Sequence, residues 1–116
     1  AAESPDATAV REAREETGLI PDRLTRIGAV MLSPGGTDEH CTLFAGRVRL
    51  PEPGPDGLLP AAGLAAEEED IRPRAWPAET AIEAALSGRF PNALTMLALL
   101  WLAARREALR AEWSTK

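Results

Sequence analysis

The stretch REAREETGL, residues 11–19, sets Glu12, Glu15 and Glu16 among Arg11, Arg14 and a closing glycine. On a helix turning about 100° per residue, with Glu12 at zero, Glu15 falls at about −60° and Glu16 at about +40°. The three carboxylates therefore share one face. Val10, Ala13 and Thr17 gather on another arc, expected to bury against a sheet, and Arg11 can reach Glu15 one turn on. Two chemistries fit such a face. It can be a solvated surface whose ion pairs each contribute only a fraction of a kcal/mol. It can also hold a divalent cation, because crowded carboxylates repel one another unless a cation joins them, and hard oxygen donors suit Mg²⁺ or Mn²⁺. A second acidic run, EEED at residues 67–70, follows a proline- and glycine-rich stretch and admits the same two readings.

These residues need elements to place them. A helix is expected over residues 8–17, with Ser4 or Asp6 to cap it and Gly18 suited to the position just past its end. Residues 24–32 and 40–49 are rich in branched and apolar types and read as strands, separated by the turn sequence SPGGTDE at 33–39. Residues 50–64 carry four prolines and three glycines, which predicts a long irregular loop. A short strand follows the acidic run, and Pro73 puts it at an edge or distorts it. Helices are expected over 78–86, ending at Gly88, and over 93–113, capped by Asn92. That order gives one domain over residues 1–116, an α/β (α+β) fold with a mixed sheet between helices. Three strands are few for such a sheet, so further strands are expected upstream of residue 1.

Composition narrows the partners. A net charge of −5 argues against nucleic acid, whose phosphates call for clustered Lys and Arg. The one cysteine, Cys41, permits no internal disulfide and fits a reducing compartment. The longest apolar run, around residues 94–104, falls short of the ~20 residues a membrane span needs. Nothing at the start reads as a secretory leader. His40 and Cys41 read as structural strand residues. Met96 and Trp101 read as core or subunit contact.

REAREETGL also resembles the core of the Nudix box, Gly-x5-Glu-x7-Arg-Glu-U-x-Glu-Glu-x-Gly-U, where U is a bulky aliphatic. Arg11, Glu12, Glu15, Glu16, Gly18 and Leu19 fit, Ala13 is a small substitute at the first U, and Glu3 fits with seven residues before Arg11. The box glycine would precede residue 1, so the chain is expected to begin inside the motif. SPGGTDE and GLAAEEEDIR (residues 63–72) resemble the turn and the catalytic loop of bacterial ADP-ribose pyrophosphatases, and the final helix is similar to theirs. The resemblance spans nearly the whole chain as the C-terminal part of that family.

The resemblance implies Mg²⁺-dependent hydrolysis of the ADP-ribose diphosphate to AMP and ribose 5-phosphate, with Mn²⁺ as a possible substitute metal. It makes Glu12, Glu16 and Glu69 metal ligands, and Glu67 the base for the attacking water, with Glu68 as the alternative. Glu15 becomes a ligand or a support for the helix. Ser33, Gly35 and Glu39 match substrate-contacting positions, although a hairpin turn alone would also use those glycines. In such enzymes a mobile loop brings the second set of carboxylates to the helix as substrate binds. The complete protein would be a cytoplasmic homodimer acting on a small nucleoside diphosphate, with neither nucleic acid nor membrane as partner. Two departures stand out: Ala62-Gly63 replaces a common His-Gly, and Pro73 occupies a strand position. Two alternatives remain open, hydrolysis of another nucleoside diphosphate sugar and a catalytically inactive truncated fragment.

Overall fold

The computed structural model describes residues 3–33, 35, 39–60 and 73–114. Among them, three helices and an antiparallel two-stranded sheet follow the order α1 (Pro5–Thr17), β1 (Arg23–Met31), β2 (His40–Arg47), α2 (Ala78–Leu86) and α3 (Ala93–Trp113). The α/β class expected from the sequence holds.

Helix α1 starts three residues before the expected position. Ser4 is extended, at φ −69° and ψ 158°, and its Oγ accepts from the Ala7 amide at 3.1 Å. Pro5 then occupies the first helical position, where a missing N–H costs nothing. At the other end Gly18 is left-handed, at φ 76°, and its amide donates to the Arg14 carbonyl at 2.8 Å, as expected. The expected apolar arc is a weaker anchor than the sequence suggests: Val10, Ala13 and Thr17 are half-buried, and no residue of α1 is fully buried.

The strands start and stop within two residues of their expected ends. Asp22 locks the base of the hairpin, its amide donating to the Arg47 carbonyl at 2.9 Å. Its carboxylate accepts from Arg47 Nε at 2.8 Å and from a terminal nitrogen at 3.0 Å. A Cβ added at Gly46 would sit 3.2 Å from Pro21, so the glycine lets the incoming chain lie against β2.

The loop over residues 50–60 contains no helix or strand, but it is folded. Gly54 accepts from the Gly57 amide at 2.9 Å and donates to the Leu58 carbonyl at 2.8 Å. The strand expected near Pro73 reduces, among the described residues, to one antiparallel bridge between Leu58 and Arg74. Pro73 takes part through its carbonyl, which accepts from the Leu59 amide at 2.9 Å, so its missing donor is not needed.

Helices α2 and α3 have the expected bounds. The Asn92 side chain accepts from the Thr95 amide at 2.9 Å and caps α3. They pack against each other, with Ala81, Ala84 and Ala85 of α2 and Leu109 of α3 buried. The alanines recur at helical spacing and leave room for a neighbouring helix to come close. Arg106 of α3 pairs with Glu79 of α2 at 3.5 Å, and Trp76 and Phe90 meet with ring centres 5.7 Å apart.

The chain forms two compact units. One comprises Ala1–Thr25 and Gly46–Ala75, and so contains α1, the base of the hairpin and the folded loop. The other comprises Arg26–Ala45 and Trp76–Lys116, and so contains the hairpin tip, α2 and α3.

Candidate functional site

The glutamates of α1 are organised around Arg11. Its Nε donates to both oxygens of Glu3 at 3.0 Å, and one terminal nitrogen lies 2.9 Å from Glu3. The other terminal nitrogen donates to Glu15 at 3.0 Å, and Glu12 lies 3.6 Å from the nitrogen that contacts Glu3. Thr8 adds a hydroxyl bond to Glu3 at 3.2 Å. The hydrogen bond from Arg11 holds the Glu3 carboxyl below its ordinary range, and Glu3 in turn raises the Arg11 guanidinium. One positive charge thus serves three carboxylates, a local excess of two negative charges (one minus three) before Glu16 is added.

The glutamates are therefore held differently. Glu15 is fixed by a direct arginine bond, whereas Glu12 stands off at the longer distance and keeps 47% of its side-chain surface exposed. Glu16 is half-buried on the same helix. Among the described residues no three His, Cys, Asp or Glu side chains converge on one point. A divalent ion here would take Glu12 and Glu16 with oxygens from elsewhere. That donor set fits Mg²⁺, which binds through one or two carboxylates and completes its shell with water and phosphate oxygens.

The other expected site residues fall elsewhere. Ser33 is exposed just beyond β1, Gly35 is an exposed turn residue with open space around it, and Glu39 is exposed immediately before β2. Ser33, Gly35 and Glu39 belong to the second unit, and Glu12, Glu15 and Glu16 to the first. Pro34 and residues 36–38 of the turn lie outside the described residues, as do Glu67, Glu68 and Glu69. His40 is exposed and Cys41 half-buried.

Two features were not assigned from the sequence. Glu3 matched the motif but had no role; the arginine clamp supplies one, and the signal was its fixed spacing from Arg11. The second feature is a cleft of about 660 Å³ within the first unit. Residues 17–20 and Asp22 line it at the C-terminal end of α1, together with Arg49 and, from the folded loop, Leu50, Pro51, Leu59 and Pro60. No local pattern joins segments so far apart in the chain; the density of Pro and Gly had marked only a long irregular loop.

Comparison with known proteins adds the family of the chain. The family model described as NUDIX domain matches residues 1–95. The chain is 37% identical over 114 residues to the ADP-ribose pyrophosphatase of Escherichia coli (strain K12), covering 97% of this chain and 51% of that protein. It is 34% identical over 111 residues to the ADP-ribose pyrophosphatase of Haemophilus influenzae, covering 96% and 49%. It is 31% identical over 100 residues to the GDP-mannose pyrophosphatase of Salmonella arizonae, covering 86% and 49%. The chain spans about half the length of the curated relatives it matches. With its glutamate helix capped by Ser4, stopped by Gly18 and clamped by Arg11, and with a family match over most of its length, the chain belongs to the NUDIX domain family.

Proposed function

We propose that this chain is the glutamate-bearing part of a hydrolase that cleaves the diphosphate of ADP-ribose into AMP and ribose 5-phosphate. The observation that carries the reading is the arginine clamp: Arg11 binds Glu3 and Glu15 directly and Glu12 at longer range, on a helix face that keeps an excess of negative charge. A chain of net charge −5 would repel a diphosphate unless cations stood between them. Glu12 and Glu16, joined by Glu69, are the proposed ligands of Mg²⁺, with Mn²⁺ as the substitute. Bound there, the metal offsets phosphate charge and makes water more acidic.

The residues of the chain have distinct tasks in this reading. Glu67 accepts the proton as water attacks one phosphorus, with Glu68 as the alternative base. The new P–O bond forms as the bridging oxygen leaves with the other phosphate. Glu15, held by Arg11, keeps the helix and its carboxylates in register. Ser33, Gly35 and Glu39 contact the substrate. We place the complete protein in the cytoplasm as a homodimer. The single cysteine, Cys41, fits the reducing compartment of that placement.

The GDP-mannose pyrophosphatase similarity favours a second reading, a different nucleoside diphosphate sugar as substrate. The test is product release from a panel of such diphosphates with Mg²⁺, using the complete gene product and its Glu16→Gln variant. The expected result is AMP as the main product from ADP-ribose, with a loss of at least ~100-fold on substitution, since even outer-shell partners of a metal site cost 10–100-fold. An unaffected rate would remove Glu16 from the mechanism. Faster turnover of GDP-mannose would select the second reading.

A further inference from the structure

The cleft in the first unit has no task in the reaction proposed above. Its volume of about 660 Å³ lies within the roughly 300–1,000 Å³ of small-molecule sites. All its lining residues belong to the first unit, and Glu12, Glu15 and Glu16 are not among them. Its walls are mostly apolar. Leu59 is buried, at 4% exposure, whereas Ile20 and Leu50 leave 61% and 51% of their surface open. Charge at the cleft is unbalanced. Arg47 binds both oxygens of Asp22 and holds its carboxyl below the ordinary range, and Arg49 adds a smaller electrostatic pull. Beyond that pull, Arg49 makes no hydrogen bond or ion pair among the described residues. Two arginines against one aspartate leave one positive charge (two minus one) in a chain whose net charge is −5.

We infer that this cleft binds a small amphipathic monocarboxylate, whose head group pairs with Arg49 and whose apolar body covers Ile20 and Leu50. The site is separate from the acidic face of α1 and does not depend on the diphosphate reaction. A guanidinium presents a planar fork that matches a carboxylate with two parallel hydrogen bonds. One unpaired arginine balances one negative charge, which suits a monocarboxylate and leaves a diphosphate largely uncompensated. The C-terminal end of α1 carries partial negative charge, so the head group belongs at Arg49 and not beside Gly18. The open surfaces of Ile20 and Leu50 gain free energy when an apolar body takes them out of water, which a wholly polar anion cannot do.

The test is an NMR titration of the complete gene product with octanoate, and with octanol as its uncharged counterpart, followed at the amides of Leu19, Ile20, Leu50 and Leu59. Variants are Arg49→Gln, Ile20→Ala and Arg14→Gln. Arg49 and Ile20 are exposed, so neither substitution empties a core, and Arg14 is an exposed arginine that does not line the cleft. Octanoate is expected to shift those four amides. Arg49→Gln should weaken octanoate roughly 10-fold, through loss of the charge-assisted bonds, and leave octanol within about twofold. Ile20→Ala should weaken both ligands alike, because it removes apolar wall. Arg14→Gln should change neither. Equal octanoate affinity with and without Arg49 overturns the carboxylate assignment. An equal loss in Arg14→Gln traces the effect to net charge and overturns it as well. No shift at the four amides, the result if a second copy or another protein segment fills the cleft, overturns the site itself.

Discussion

Helix α1 and the α2–α3 pair are held by opposite means. No residue of α1 is fully buried; a serine cap, a left-handed glycine and an arginine shared by three glutamates define it. The α2–α3 pair buries Ala81, Ala84, Ala85 and Leu109, with one ion pair beside them. Apolar contact gains free energy in proportion to area removed from water and needs no open face. In the proposed function α1 offers carboxylates to a ligand and cannot cover them, so its polar groups have to supply its order. Substitutions in α1 should therefore fall mainly on activity, and substitutions between α2 and α3 mainly on stability.

The strongest challenge to that division on the stability side is Leu109→Ala, which empties a buried site on α3 and should destabilise by about 2–5 kcal/mol. Denaturant titration measures it, and a loss under about 1 kcal/mol would mean that packing does not dominate this pair. Next is Ser4→Ala, which leaves the Ala7 amide unbonded at the start of α1. It should cost about 1 kcal/mol and shift the helical signal on melting. A null effect would show that the start of α1 is fixed by something other than its cap.

The smallest effect is a pH effect. Glu3 is held below its ordinary value of 4.5 by the hydrogen bond from Arg11. Its contribution to stability is therefore complete above pH 4.5 and is lost as pH falls through the lowered pKa. The Glu3 carboxyl, followed by NMR, should titrate below 4.5 and return toward that value in Arg11→Met. Equal midpoints in both proteins would show that the clamp does not form in solution.

The difference between the two regions also governs what could be read in advance. The bounds of α2 and α3 were legible because caps, a stop glycine and helical periodicity are local signals. Helix α1 was misplaced at its start because Ser4 and Asp6 both qualified as caps, and the structure has Ser4 bonding the Ala7 amide with Pro5 as the first helical residue. The clamp was half legible: the spacing allowed Arg11 to reach Glu15, but Glu3 comes to Arg11 only because the segment before the helix turns back over its first turns. The Asp22–Arg47 lock had no signal, since its partners lie 25 residues apart and meet through hairpin register.

By itself, the sequence determined the family motif, the residue types available for metal chemistry, the bounds of α2 and α3, the end of α1 and the excess of negative charge. Each depends on residue identity or on contacts within a few positions along the chain. Tertiary structure alone decided that Arg11 divides its bonds between Glu3 and Glu15, that the Pro/Gly loop is tied at Gly57, and that Leu59 shares a cleft with the end of α1. Those arrangements join segments distant in sequence, and the entropy of bringing them together is overcome only when the whole unit folds.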